Sequence, residues 1–169
     1  MNLKSLIIGT AAALSVASMA IAERGSDGHV NIIYWQAPSI LNPYLSGGTK
    51  DVESSSMIIE PLARYNQDGE LTAWLVTEIP TVANGGVSAD LMSITWNITP
   101  GIKWSDGSAF TAHDVVFSGE YCMDPDGGCA QSNKLADVAS IEAIDDLTVK
   151  VTFSVAKPFP YGPFVGAEQ

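Results

Sequence analysis

Positive charge is scarce in this 169-residue chain: 8 Lys+Arg stand against 19 Asp+Glu. Such a chain lacks the cationic surface needed to displace phosphate counterions, which argues against nucleic acid as a partner. The acidic surplus is read first as solubility, with attraction of cationic ligands as the weaker alternative. Cysteine is nearly absent as well. Cys122 and Cys129 are the only two, close together in YCMDPDGGCAQ, and carboxylates alone surround them. No ligand set for a metal is completed there, so no metal is expected. A membrane-spanning run is also missing. The apolar stretch Leu6 to Ala17 falls short of the roughly 20 residues a spanning helix needs. Neither an internal repeat nor a low-complexity tract is visible. With 46% hydrophobic and 16% charged residues, the chain has an ordinary globular composition.

What stands at the start is a three-part leader. Met1-Asn2-Leu3-Lys4 is basic, Leu6 to Ala17 is apolar, and Ala20-Ile21-Ala22 is a small-x-small site. This layout predicts a secretory signal peptide over residues 1–22, cut before Glu23. No cysteine follows the cut, so the expected product is released rather than lipid-anchored. Removing Lys4 leaves 7 cations against 19 anions, a net charge of −12. Export to an oxidising compartment makes a local Cys122–Cys129 disulfide the natural reading. The intervening Asp124-Pro125-Asp126-Gly127-Gly128 is turn chemistry that can bring its ends together.

Along the mature chain, Val30-Asn31-Ile32-Ile33-Tyr34-Trp35 reads as a buried strand. Pro38 and Pro43 then break the chain into a loop through Ser46-Gly47-Gly48-Thr49. A helix is predicted from Asp51 to Glu60, closed by Pro61. Leu62 to Tyr65 and Leu71 to Trp74 flank Asn66-Gln67-Asp68-Gly69, a hairpin signal. Met92, Ile94, Trp96 and Ile98 alternate with polar residues, as do Leu147, Val149, Val151 and Phe153. That period of two means one packed face and one wet face. The second run pairs with Ile141 to Ile144 across Asp145-Asp146. Mostly antiparallel strands with short helices make an α+β unit.

The densest stretch is KWSDGSAFTAHDVVFS, residues 103–118. Thr111 and Asp114 approximate a capping box, and Asp106-Gly107 supplies a reversal before the helix. Trp104 and Phe110 flank that turn and can pack over it. Val115, Val116, Phe117 and Tyr121 offer apolar surface to bury. A catalytic reading would use Ser105 with His113, beside Asp106 and Asp114. It lacks an identifiable third member and oxyanion donors. The stretch is read as structural, and no catalytic residue is assigned.

The order of these pieces closely resembles the N-terminal part of family 5 solute-binding proteins, the peptide- and nickel-type receptors of ABC importers. The pieces are APSILNPYLSGGTKD, IIEPLARYNQDGELTAWL, ITWNITPGIKWSDGSAFTAHDVVFS and TVKVTF. The segment GIKWSDGSAFTAHDVVFS is similar to the family's most recognisable signature. One departure is Thr99-Pro100 before Gly101, where a basic residue is usual. The resemblance implies the α+β portion of a two-lobed α/β periplasmic-binding-protein (type II) fold. On that pattern residues 23–59 begin the first lobe. Residues 60–169 form an inserted α+β subdomain running back toward it. The second lobe, the hinge and the rest of the first lobe are expected to be absent, the chain being read as an N-terminal fragment.

The implied function is a non-catalytic, monomeric periplasmic receptor, without a cofactor. It captures a di- or oligopeptide or similar solute and delivers it to a membrane permease. Peptide is the family default, and nickel, an oligosaccharide or an opine-like compound remain open. The positions matching the ligand-lining loop are Gly47, Gly48 and Thr49, which read equally well as a flexible turn before a helix. Tyr34, Trp35 and Gln36 are placed at the cleft border, with core packing expected for Trp35. The competing classes are a secreted enzyme, for which no convergent cluster is found, and a small secreted stand-alone binding or interaction module.

Overall fold

Three strands of alternating burial make the main sheet: β3 (Ser93–Asn97), β4 (Val138–Asp145) and β5 (Thr148–Phe153). The computed structural model describes residues 28, 29 and 31–166, and the leader expected over residues 1–22 lies outside them. The chain divides into two units, Met1–Ile33 and Tyr34–Gln169. The described residues of the first contain no helix or strand.

In the second unit the sheet order is β3-β5-β4, antiparallel throughout. The register sets Ile94 opposite Val151 and Trp96 opposite Val149, while Ile141 meets Val151 from the other side. Ile94, Trp96, Ile98, Val149, Val151 and Phe153 are all buried on this one face. Burying each such side chain stabilises the fold by about 1.5–3 kcal/mol, well above a net backbone hydrogen bond. The opposite face carries Thr95, Asn97, Lys150 and Glu142, as the period of two requires.

A short hairpin precedes the sheet. Its strands are β1 (Ala63–Tyr65) and β2 (Leu71–Ala73), closed by Asn66 to Gly69. Asn66 Oδ1 accepts the amides of Asp68 and Glu70, which is why this turn forms. Beyond the hairpin, the Arg64 guanidinium lies over the Trp74 ring at 3.1 Å from its centroid.

Among the described residues, α-helix α1 spans Thr49–Ser55 and α-helix α2 spans Ala112–Met123. The predicted capping box is present on α2: the Thr111 N–H donates to Asp114 Oδ2 at 2.7 Å. Helix α2 lies against β4 through Gly119, where a Cβ would overlap Ile141 and approach Phe164. Between β3 and α2 the chain turns at Gly107, with φ of +89°, and Trp104 meets Phe110 edge to face at 5.6 Å. Cys122 and Cys129 are bonded, with Cα atoms 4.9 Å apart, so the end of α2 is tied to the segment that follows it.

Three expectations fail. Residues 31–35 form no strand, and Trp35 is 73% exposed instead of packed in a core. Their β-rich composition is a preference that only a neighbouring strand can satisfy, and none pairs with them among the described residues. Helix α1 begins two residues early and stops at Ser55, well before Pro61. The hydroxyls of Ser54, Ser55 and Ser56 donate to the carbonyls of Lys50, Asp51 and Glu53, a backbone competition that weakens a short helix. Finally, Phe117 is 70% exposed, because α2 turns Val115, Gly119 and Cys122 to the sheet.

Candidate functional site

The loop before α1 is organised by one carboxylate. Asp51, only 3% exposed, accepts from the Ser39 N–H at 2.6 Å, Ser46 Oγ at 2.7 Å and Lys50 Nζ at 2.8 Å. Lys50 also donates to Ser39 Oγ at 2.6 Å, and the Gly48 N–H donates to Ser46 Oγ at 3.1 Å. The Lys50 ammonium, then the Ser46 hydroxyl and the Ser39 amide, hold the Asp51 carboxyl well below the usual carboxylate range. Residues 39–51 are thereby closed into a compact loop.

A distant segment braces the same loop. The Ala130 N–H donates to the Tyr44 carbonyl at 2.7 Å. Gln131 Nε2 reaches the carbonyls of Pro43 and Ser46 at 3.5 Å each. Between loop and segment lies an open depression of about 340 Å³, lined by Gly47, Thr49, Val52, Ala130, Gln131 and Asn133. Pockets able to hold small ligands start at about 300 Å³. Two apolar grooves beside Trp104 and Phe110 measure only 120 and 140 Å³.

The sequence-chosen residues separate into three groups. Gly47 and Thr49 line the depression. Gly48 stands behind it as the N-cap of α1, where a Cβ would come within 3.3 Å of Asp51 Oδ2. At Gly47 an added Cβ meets nothing within 4 Å, so space around the backbone stays open there. Gln36 is exposed and does not line the depression. No hydrogen bond joins Ser105 to His113 among the described residues. Ser105 borders an apolar groove, while His113 is exposed 3.9 Å from Asp146. Among the described residues no group of three His, Cys, Asp or Glu side chains is placed to hold a metal.

Asp51, Gln131 and Asn133 are the residues that sequence reasoning missed. Asp51 carried a weak signal, an acidic residue after Gly-Gly-Thr at a helix start. Gln131 carried none, since it meets Ser46 across 85 positions of chain.

Residues 70–167 match the bacterial extracellular solute-binding proteins, family 5 middle, and the chain belongs to that family. It is similar to the oligopeptide-binding protein OppA of Bacillus subtilis, 30% identical over 140 residues, which cover 73% of this chain and 23% of that protein. It also resembles the glutathione-binding protein GsiB of Pectobacterium atrosepticum, 35% identical over 79 residues, or 47% of this chain and 15% of that protein. Among solved structures, the binding protein AgaA of A. tumefaciens R10, in complex with agropinic acid, aligns with a TM-score of 0.65. That alignment has 29% identity and covers 73% of this chain and 24% of AgaA. The chain therefore spans only 15% to 24% of the length of these relatives. Its mostly antiparallel α+β fold is that of the corresponding part of such proteins, and the family is one of binding proteins, not of enzymes.

Proposed function

We propose that this chain contributes to a receptor that captures a peptide or similar small solute outside the cytoplasm and delivers it to the permease of an ABC importer. The observation that carries this reading is the family match over residues 70–167, with fold agreement over most of the chain. The relatives named above bind oligopeptide, glutathione and agropinic acid, so an amide-bearing solute heads the list. In this reading residues 1–22 are a cleaved leader, residues 23–59 begin one lobe, and residues 60–169 form the inserted subdomain. Capture is closure of two lobes around the solute, a population shift toward the state that buries it. The protein acts as a monomer in the periplasm, without a lipid anchor. The exposed side chains of Met57, Ile58 and Trp104 offer apolar surface on which further protein can pack.

The test is uptake. Cells lacking the gene are expected to lose import of a labelled tripeptide and to regain it on complementation. Unchanged import of peptides, nickel, opines and oligosaccharides by the deletion strain would overturn the receptor. The intact mass of the native protein from the periplasm checks the leader, which should be gone.

A further inference from the structure

Arg64 is the only arginine among the described residues of a chain with 19 Asp+Glu, yet no carboxylate there pairs with it. Its backbone is fixed in β1, opposite Thr72 of β2, whose hydroxyl donates to the Arg64 carbonyl at 3.0 Å. Its half-buried side chain lies over the Trp74 ring, 3.1 Å from the centroid. That ring is held in turn, because Trp74 Nε1 donates to Glu60 Oε1 at 2.9 Å. The neighbouring carboxylates are occupied or remote. Glu60 is spent on Trp74, Glu70 accepts from Asn66 Nδ2 at 3.1 Å, and Asp68 stands exposed in the hairpin turn.

A guanidinium carries its five N–H donors in one plane. Stacking on an indole uses the face of that plane and leaves its edge free. Arg64 Nε is sealed from solvent without a partner. The two terminal nitrogens also lack a hydrogen bond to any described residue, but they are not sealed. Their N–H groups therefore form an open fork, which a carboxylate spans with two parallel hydrogen bonds. Because one side of the cation is already dry, an anion meets less screening here than in bulk water. Glu60 limits the charge that fits. It stands at the edge of the same indole, so a singly charged planar anion is favoured over a dianion such as phosphate.

We propose that Arg64, on its Trp74 platform, is a binding site for the carboxylate of a small monoanionic solute. Trp74 is 45% exposed and offers the rest of its ring to the apolar part of that solute. Arg64, Trp74 and Glu60 do not line the depression before α1, so this is a second site. It needs no closure of lobes and does not depend on the receptor reading.

The experiment is an NMR titration of the chain with sodium butyrate at constant ionic strength, read at Arg64 Nε–H and the Trp74 indole N–H. Expected are saturable shifts at both. Butyramide, alike in shape and uncharged, should bind at least about tenfold more weakly, and so should the phosphate dianion. Arg64→Gln should weaken butyrate binding about tenfold. Arg64→Lys keeps the charge, loses the fork and should weaken it severalfold. If Arg64→Gln does not fold, the butyramide and Arg64→Lys comparisons still decide. N-acetyl-Gly-Glu-Gly-amide, which presents the carboxylate on a protein-like side chain, should bind no more tightly than butyrate. Equal binding of butyramide, unchanged binding by the variants, or no saturable shift would each overturn the site. Phosphate or the Glu peptide binding more tightly than butyrate would overturn the small monoanion. None of these bears on the receptor, whose failure is read from tripeptide uptake in the deletion strain.

Discussion

The Asp51 carboxylate accepts the backbone N–H of Ser39 at 2.6 Å, across twelve positions of chain. With Ser46 and Lys50 on its other contacts, one buried side chain sets the shape of the loop that lines the depression. A carboxamide in its place keeps the size and loses the charge that attracts all three donors. Asp51→Asn is therefore expected to leave the sheet intact while the amides of Ser39 and Gly48 exchange at least tenfold faster. Unchanged exchange at both amides would show that the loop is held by something else.

Acid should weaken the fold. Asp51, Asp90, Asp106 and Asp145 all have lowered pKa values, chiefly through Lys50, the Ser88 side chain, the Ser108 hydroxyl and the Leu147 amide respectively. A lowered folded-state pKa means the unfolded chain binds more protons between the two values. Each group then contributes stability that is present above the unfolded pKa of about 3.9 and is lost as pH falls through the folded value. Urea midpoints should stay level from pH 7 to about 5 and drop below about 4. A midpoint that rises in acid contradicts this assignment.

Gly119 is set by contact, not by helix preference. In an open helix Gly→Ala gains about 1 kcal/mol. Here the new methyl overlaps Ile141 Cδ1, and overpacking of that kind costs about 1–3 kcal/mol. Gly119→Ala should be net destabilising, and Ile141→Val, which removes the offending atom, should recover most of the loss. Additive effects in the double-mutant cycle would remove the contact argument.

The Cys122–Cys129 bond closes a short loop, with a sequence separation of 7. Chain-entropy reasoning gives such a loop about 2–3 kcal/mol. Replacing both cysteines by serine should lower stability by that order and loosen the Ala130–Tyr44 contact behind the depression. A gain of two hydrogens in intact mass on reduction checks the bond directly.

Much of this protein was legible in its sequence, because the relevant physics is local. Alternation in Met92 to Ile98 and Leu147 to Phe153 marks the packed face of the sheet. Thr111 with Asp114 marks the start of α2, and Asp106-Gly107 marks its preceding turn. Each of these follows from side-chain periodicity, a cap or a backbone angle within a few residues. The resemblance carried by residues 101–118 led to the right family for the same reason, since the signature is continuous in the chain.

Tertiary structure decided the rest. The β-rich run at residues 31–35 forms no strand, since pairing belongs to a neighbour and not to the run itself. Phe117 faces solvent because the orientation of α2 is set by the close approach of Gly119 to Ile141. The depression joins Gly47 and Thr49 to Gln131 and Asn133, groups some eighty positions apart in sequence. No local pattern encodes that meeting. It arises where the segment after the Cys122–Cys129 bond packs on the Pro43 to Ser46 loop, a contact that exists only once the chain has folded.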